Sequence, residues 1–379
     1  MKRTKEILIS VAFMVILVLP FADSLFEFIP EMENKENRAL KAKPEFDITN
    51  LDGFPQEYDT YYSDNFNLRN QFVLLNSKLK LQTFNVAPVK GKAFIGNDGW
   101  MYITKHQMST YQGKNMVNAT ELEEYYNIFE YRKNFLDSIG CKYYVVIAPM
   151  KTSIYPEFLP LSKRLTNQET LTDQIVNLLD TVSGITVIDL RTTLKNAKGS
   201  VRMFHKTDNH WNDYGSFVAY QEIMNVLSDD FPSLIANDIS NFQIDSTTVN
   251  GLALTNMMGI YEGVYENKIS CKPTFNLTSK PGKKSGYPVV PNFGYPSAYE
   301  QVFVNSNDTL PKLLMIRDSF GRTVMPFLSE HFSKSVYIFD SWHHEFNKEI
   351  VLNEKPDIYI QLVLEMFIPN IKKHSKNPK

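Results

Sequence analysis

Residues 312–340 read KLLMIRDSFGRTVMPFLSEHFSKSVYIFD. A short apolar run, Lys312–Ile316, meets a polar turn, Arg317-Asp318-Ser319-Phe320-Gly321. A helical stretch, Arg322–His331, then leads into a second apolar run, Ser335–Asp340. Runs this short and this apolar, separated by one helix, fit strands that are buried on both faces. The rhythm continues in both directions. Lys142–Ala148 (KYYVVIA), Ile185–Leu190 (ITVIDL) and Pro356–Val363 (PDIYIQLV) read as further strands. Glu121–Ser138, Gln168–Val182 and Tyr214–Leu227 read as helices, the first opened by Thr120 as a cap with Glu123 three residues on. The expectation is an α/β fold with a mainly parallel sheet covered on both faces. Ligands of such sheets sit at the carboxyl ends of the strands, so the chemistry is sought just beyond them.

Away from this core the patterning changes. Residues 232–310 are rich in Asn, Pro, Gly and Ser with little helical period, and read as an insertion or lid. Gly96-Asn97-Asp98-Gly99 is a turn entering Trp100-Met101-Tyr102, and Tyr58–Phe84 is helical in pattern. Residues 30–57, broken by Pro30, Pro44, Gly53 and Pro55, suit a linker. At the N-terminus, Lys2, Arg3 and Lys5 precede an unbroken apolar run from Ile7 to Phe21. That run alone would make a helix of roughly 22 Å, short of the ~30 Å hydrocarbon layer. Continuation through Ala22–Ile29 makes spanning feasible, so residues 1–29 are expected to be an uncleaved anchor or else a signal segment. Either way the basic end stays cytoplasmic and the rest is exported. The remaining division is a linker at 30–57 and one catalytic domain at 58–379, with its insertion at about 232–310.

The bulk composition excludes several classes. A hydrophobic fraction of 43% with 22% charged residues is that of a chain with a sizeable core. The formal net charge of −2 gives no basic footprint for nucleic acid. The two cysteines, Cys141 and Cys271, make no disulfide framework and no C-x-x-C pair. No phosphate-binding or dinucleotide glycine fingerprint occurs, and the adjacent His343 and His344 are poorly placed to chelate one ion. Neither a cofactor nor a metal is expected.

Two polar junctions remain. Ser319 stands at a strand-to-helix turn, where a hydroxyl is exposed and a helix N-terminus stabilises an oxyanion. Asp318 or Ser319 would equally suit a plain helix cap. Lys206-Thr207-Asp208-Asn209-His210-Trp211-Asn212 precedes another helix. Serine is a poor nucleophile until an oriented base takes its proton. Asp208 can hold one ring nitrogen of His210 and leave the other for a serine, although Asp208 or Asn212 also reads as a cap. Together the junctions are the convergence expected of an acyl-transfer site. His205 lacks an orienting carboxylate at that spacing.

Six stretches in this order carry a family resemblance: Glu36-Asn37-Arg38, Tyr61–Arg69 (YYSDNFNLR), Gly96–Tyr102 (GNDGWMY), Ala148–Pro160 (APMKTSIYPEFLP), Lys206–Asn212 (KTDNHWN) and Arg317–Gly321 (RDSFG). The chain resembles the periplasmic alginate O-acetylation proteins, AlgJ/AlgX-like and overlapping the DHHW proteins, whose SGNH-hydrolase-like domain has a permuted motif order. The resemblance implies an SGNH-hydrolase-like three-layer sandwich preceded by a transmembrane helix. It implies Ser319 as nucleophile, His210 as base and Asp208 as the orienting carboxylate, in an O-acetyltransferase acting on an extracytoplasmic polysaccharide through an acyl-enzyme. It also implies a multispanning membrane O-acyltransferase as acetyl supplier. Arg317 stands where the family's Gly-Asp-Ser pattern has Gly, and Glu365-Met366 where Glu-Arg often ends the last strand.

The candidate substrate-binding residues are Lys151, Tyr155, Trp211, Arg317 and Arg322. Lys151 would steer an anionic sugar and Arg322 would support an oxyanion. Against these stand a Tyr155-Pro156 turn packed on the core, a surface salt bridge for Arg322, and a Trp211 that holds the His loop. A carbohydrate esterase with the same triad is the nearest alternative function. A non-catalytic glycan-binding component of an export complex is the alternative of another class.

Overall fold

The structure is a computed structural model. It describes every residue except 1, 33–39, 47, 49–50, 85–90, 165–168, 183, 200, 261, 292, 341–342 and 374–379. Glu36-Asn37-Arg38 therefore lies outside the described residues, as does Gln168 at the start of one expected helix. The chain divides into two compact units, residues 1–93 with 250–264 and residues 94–249 with 265–379.

The first unit is helical. Helix α1 runs Lys2–Phe26, α2 Phe54–Asn65 and α3 Arg69–Phe84. The helical pattern expected over Tyr58–Phe84 is thus two helices, parted where Phe66 turns extended and Leu68 adopts a φ of 63°. Within α1, the segment Thr4–Phe26 is long and apolar enough to cross a membrane. Most of its apolar side chains, from Ile7 to Phe26, are exposed. Asp23 is buried and accepts from Ile29 N (2.8 Å) and Asn67 Nδ2 (2.8 Å).

The second unit is built on a seven-stranded sheet. In chain order its strands are β1 (Lys142–Ala148), β2 (Ile185–Asp189), β3 (Lys280–Pro281), β4 (Glu300–Val304), β5 (Lys312–Arg317), β6 (Lys334–Phe339) and β7 (Ile358–Leu364). The spatial order is β2-β1-β7-β5-β6-β4-β3. The first five are mutually parallel, and β4 and β3 close one edge antiparallel. Its principal helices are α4 (Ala119–Ser138), α5 (Leu171–Leu179), α6 (Leu190–Asn196), α7 (Asp213–Asp230), α8 (Gly321–Leu328) and α9 (Lys348–Glu354).

The unbroken apolar strands are explained by the two faces they serve. On β1, Tyr144, Val146 and Ala148 join Leu313, Met315, Ile360 and Leu362 in a core covered by α6, α7 and α8. The alternate residues Tyr143, Val145 and Ile147 join Leu314, Ile316, Tyr359 and Val363 under α4, α5 and α9. Each fully buried side chain contributes about 1.5–3 kcal/mol, so both layers of helix are held by burial. The expected three-layer α/β sandwich is the architecture observed.

One local expectation is corrected. Helix α4 is capped by Asn118, not Thr120: Glu121 N donates to Asn118 Oδ1 (3.0 Å) while Asn118 N donates to Glu121 Oε2 (3.2 Å). Asn118–Glu121 and Thr120–Glu123 obey the same three-residue rule, and the earlier box adds half a turn of helix. The stretch 232–310 carries β3, β4 and a two-stranded sheet of Phe242–Asn250 with Tyr265–Pro273. Most side chains on Phe242–Asn250 are exposed, so this strand has no apolar alternation to reveal it.

Candidate active site

Every sequence-predicted site residue lies in the second unit, at or beyond the carboxyl end of a strand or on the His loop. That loop is a short hairpin. Asn212 N donates to Met203 O (2.9 Å) and His205 N to His210 O (3.3 Å), so residues 203–205 and 210–212 pair across it. Asn212 then caps α7 by accepting from Gly215 N (2.9 Å). Asp208 is consequently no cap. Its Oδ1 accepts from His210 N (3.0 Å) and lies 2.7 Å from His210 Nδ1.

The turn after β5 is pinned by Asp318, wholly buried, whose Oδ1 accepts from Phe320 N (2.8 Å) and Oδ2 from Leu364 N (2.5 Å). Helix α8 has no side-chain cap, and Ser319 Oγ lies 2.8 Å from His210 Nε2. The two alternative cap assignments are thereby separated. Asn212 is a cap and Asp318 holds a turn, while Ser319 and Asp208 both turn to His210. The imidazole packs tilted against Phe320, with ring centroids 4.9 Å apart, and keeps 37% of its side-chain surface exposed.

The electrostatics follow from burial. Desolvation would raise the Asp208 carboxyl, but hydrogen bonds and charge from His210 hold it well below the usual carboxylate range. Burial pushes Asp318 up to about 6. His205 is pushed down to about 4 by burial, and its Nδ1 has no partner among the described residues. It is an uncharged core histidine.

Four of the five candidate substrate-binding residues are placed away from solvent. Lys151 is fully buried, and its Nζ donates to the carbonyls of His205 (3.1 Å), Lys206 (3.1 Å) and Asp208 (2.6 Å). An ammonium so enclosed does not meet a sugar, and burial pushes its pKa down to about 7. Tyr155 packs on Trp100 and accepts from Met203 N at its hydroxyl (3.0 Å). Trp211 donates from Nε1 to Thr323 Oγ1 (2.8 Å) and braces the loop against α8. Arg317 is buried, with Nη1 on Asp318 O (3.0 Å), Nη2 on Gln301 Oε1 (2.7 Å) and its guanidinium over Phe339. Gly321 is required beneath it, since a Cβ there would stand 2.5 Å from Arg317 Cδ. Arg322 is exposed, and it lines an apolar cavity of about 200 Å³ with Phe242, Phe275 and Phe327.

Sequence reasoning missed the loop's outer supports. Glu266, buried on the strand Tyr265–Pro273, accepts from Thr207 N (2.8 Å) and Thr207 Oγ1 (2.7 Å) and pairs with Arg202. Gln107 Nε2 donates to Asn209 Oδ1 (3.0 Å). No local signal marks either residue, because each acts on a loop 59 or more residues away.

Comparison with known proteins supports both the AlgJ/AlgX-like family and the SGNH-like fold. Residues 93–262 match the family described as SGNH hydrolase-like domain, acetyltransferase AlgX. The chain is 26% identical over 223 residues to a probable alginate O-acetylase AlgJ of Pseudomonas syringae pv. tomato, covering 59% of this chain and 52% of that protein. It is 25% identical over 234 residues to the probable alginate O-acetylase AlgJ of Pseudomonas fluorescens, covering 61% and 55%. The chain thus spans about half the length of these curated relatives. The structure of Bacillus cereus PatB1 with a sulfonyl adduct shares the fold, with a TM-score of 0.55 at 18% identity over 76% of this chain and 100% of that one.

Proposed function

We propose that this chain is a serine-type O-acetyltransferase of an extracytoplasmic polysaccharide, with Ser319 as nucleophile, His210 as general base and Asp208 as the carboxylate that orients it. The observation that carries this reading is the unbroken hydrogen-bonded line from Ser319 Oγ to His210 Nε2 (2.8 Å) and from His210 Nδ1 to Asp208 Oδ1 (2.7 Å). Asp208 fixes the tautomer that bears its proton on Nδ1, leaving Nε2 unprotonated and aimed at the hydroxyl. His210 takes the Ser319 proton as Oγ attacks the carbonyl of an acetyl donor. The tetrahedral intermediate expels the donor's leaving group, which receives that proton from the imidazolium. A sugar hydroxyl then attacks the acetyl-serine ester, giving its own proton to His210, and Ser319 leaves with that proton restored.

The names of the AlgJ relatives and the family description support acetyl transfer to a polysaccharide. The acetyl supplier is proposed to be a multispanning membrane O-acyltransferase, and the apolar helix α1 would tether the chain beside it in the membrane. Incubation with an aryl acetate should yield a Ser319-linked acetyl group detectable by intact mass. A Ser319→Ala protein that forms the adduct and turns over like wild type would defeat the proposal. Glycan binding that persists in Ser319→Ala and His210→Ala, with no adduct in wild type, would point to the non-catalytic alternative.

The half-exposed imidazole favours one second reading, since water can reach it as readily as a sugar. An esterase would release free acetate at a rate indifferent to added glycan. A transferase would divert acetate into acetylated glycan.

A further inference from the structure

The cation beneath the His loop has no role in the mechanism above. Lys151 begins the short helix Lys151–Ile154 after β1 and is wholly buried. An ammonium has three N–H groups and no acceptor. All three meet carbonyl oxygens of one four-residue segment, those of His205, Lys206 and Asp208. The last contact, at 2.6 Å, is to the backbone of the residue whose carboxylate holds His210 Nδ1. The ring faces of Trp100 and Tyr102 lie 5.7 and 5.2 Å from Nζ.

Removing a cation from water is costly unless it is paired and hydrogen-bonded. Here the three carbonyls, the two ring faces and the acidic neighbours Asp208 and Glu266 offset part of that cost, while Arg202 adds to it. The carbonyls gain equally. The tight turn through residues 205–208 leaves them converging on one point, where Lys206 O also accepts from Met101 N (2.9 Å). A neutral core side chain of similar length would fill the volume but withdraw the N–H donors that draw the three oxygens together. The loop would then open toward solvent and carry Asp208 with it.

We propose that Lys151 is a positioning residue, whose ammonium gathers three loop carbonyls and thereby holds the Asp208 carboxylate against His210 Nδ1. The inference rests on the reading of Ser319, His210 and Asp208 given above, but its structural half can be measured without turnover.

The test uses the full chain in detergent with Lys151→Met, which keeps length and volume and removes the donors. The readouts are the downfield proton resonance of His210 Nδ1–H and the rate at which an aryl sulfonyl fluoride modifies Ser319. In wild type the proton should be resolved. In folded Lys151→Met it should broaden away, with labelling slowed about a hundredfold, as expected for misplacement on the scale of an ångström. For aryl acetate turnover, kcat should fall while KM stays within about twofold, since Lys151 touches no substrate. If Lys151→Met fails to fold, Lys151→Gln, which retains an amide donor, should give an intermediate labelling rate and a weakened resonance. A folded variant of either kind that keeps both the resonance and the labelling rate, with only a lower Tm, overturns the proposal. If wild-type Ser319 is inert to the probe, the functional reading fails separately, and the resonance alone then decides whether Lys151 holds Asp208 on His210.

Discussion

Asp208 and Asp318 are both desolvated aspartates, yet their surroundings send them in opposite directions. Asp208 is drawn down by His210, so its stabilising contribution is complete above the ordinary carboxylate range and lost on acidification below it. Asp208→Asn should leave the fold intact and lower kcat by about a thousandfold or more, because the amide no longer enforces the Nδ1–H tautomer. Burst and steady-state kinetics with an aryl acetate check this; a decrease of less than tenfold would remove Asp208 from the triad. Asp318 is raised to about 6 by burial, so the folded state binds the proton more tightly than the unfolded chain. Stability therefore falls as pH rises from about 4 to about 6. Its two oxygens serve two backbone N–H groups, and Asp318→Asn would set an amide donor against one of them. The variant should be less stable than wild type by about 1–3 kcal/mol at pH 4. That gap should narrow by pH 7, where wild type bears the buried charge. Urea melts at several pH values measure it, and the Asp208 contribution cancels because both proteins share it. A gap that widens with pH would contradict the assignment.

Secondary-structure elements were legible where burial repeats along the chain. The strands Lys142–Ala148 and Lys312–Arg317 are apolar because both their faces are covered, and a run of that kind is visible without coordinates. The junction bearing Ser319 was legible because it follows a buried strand of the parallel sheet, whereas the His210 hairpin lies between α6 and α7 and was marked only by its polar residues ahead of a helix. Positions that depend on distant partners were not. Lys151 reads as an exposed cation after a strand until the loop at 205–208 is laid over it, and Glu266 sits in a strand whose polar sequence conceals one buried carboxylate. Arg317 likewise reads as a departure at the site, whereas its guanidinium runs to β4 and the Phe339 ring. Gly215 shows how closely elements meet here. It lies in the first turn of α7, where a Cβ would fall inside contact distance of the Met203 carbonyl oxygen and 3.1 Å from Trp211 Cβ. Gly215→Ala must push α7 away from the hairpin that carries His210. We expect a loss of about 1–3 kcal/mol, with Ser319 labelling slowed in the folded fraction. Calorimetry and probe kinetics on one sample separate the two effects. Unchanged values for both would mean that the hairpin yields freely and does not brace the histidine.

For the molecule as a whole, the open question is where it resides, and α1 bears on it most directly. The apolar run Ile7–Phe21 by itself falls short of a bilayer, but the helix extends it at both ends, and Thr4–Phe26 has the length and composition of a span. At about 1.5 Å per residue its 23 residues reach roughly 34 Å, enough for a hydrocarbon layer of ~30 Å. Asp23, the acidic residue near its far end, is not left bare. Its carboxylate is occupied by Ile29 N and Asn67 Nδ2, so the end of α1 is tied to the polypeptide that follows. Such a tie is what we expect of a retained anchor, which gains from it a fixed exit from the membrane. With Lys2, Arg3 and Lys5 preceding the span, the positive-inside rule predicts a cytoplasmic N-terminus and an exported sheet-bearing unit. Full-length protein expressed in a bacterium should remain in the membrane pellet after alkaline carbonate washing and retain its N-terminal residues on sequencing, while deletion of residues 1–29 should release it from that pellet. A C-terminal tag should be digested by protease added to spheroplasts, and an N-terminal tag only after lysis. A mature protein beginning near residue 23 would replace the anchor with a signal peptide; a C-terminal tag protected until lysis would reverse the orientation and remove the case for an extracytoplasmic polysaccharide acceptor.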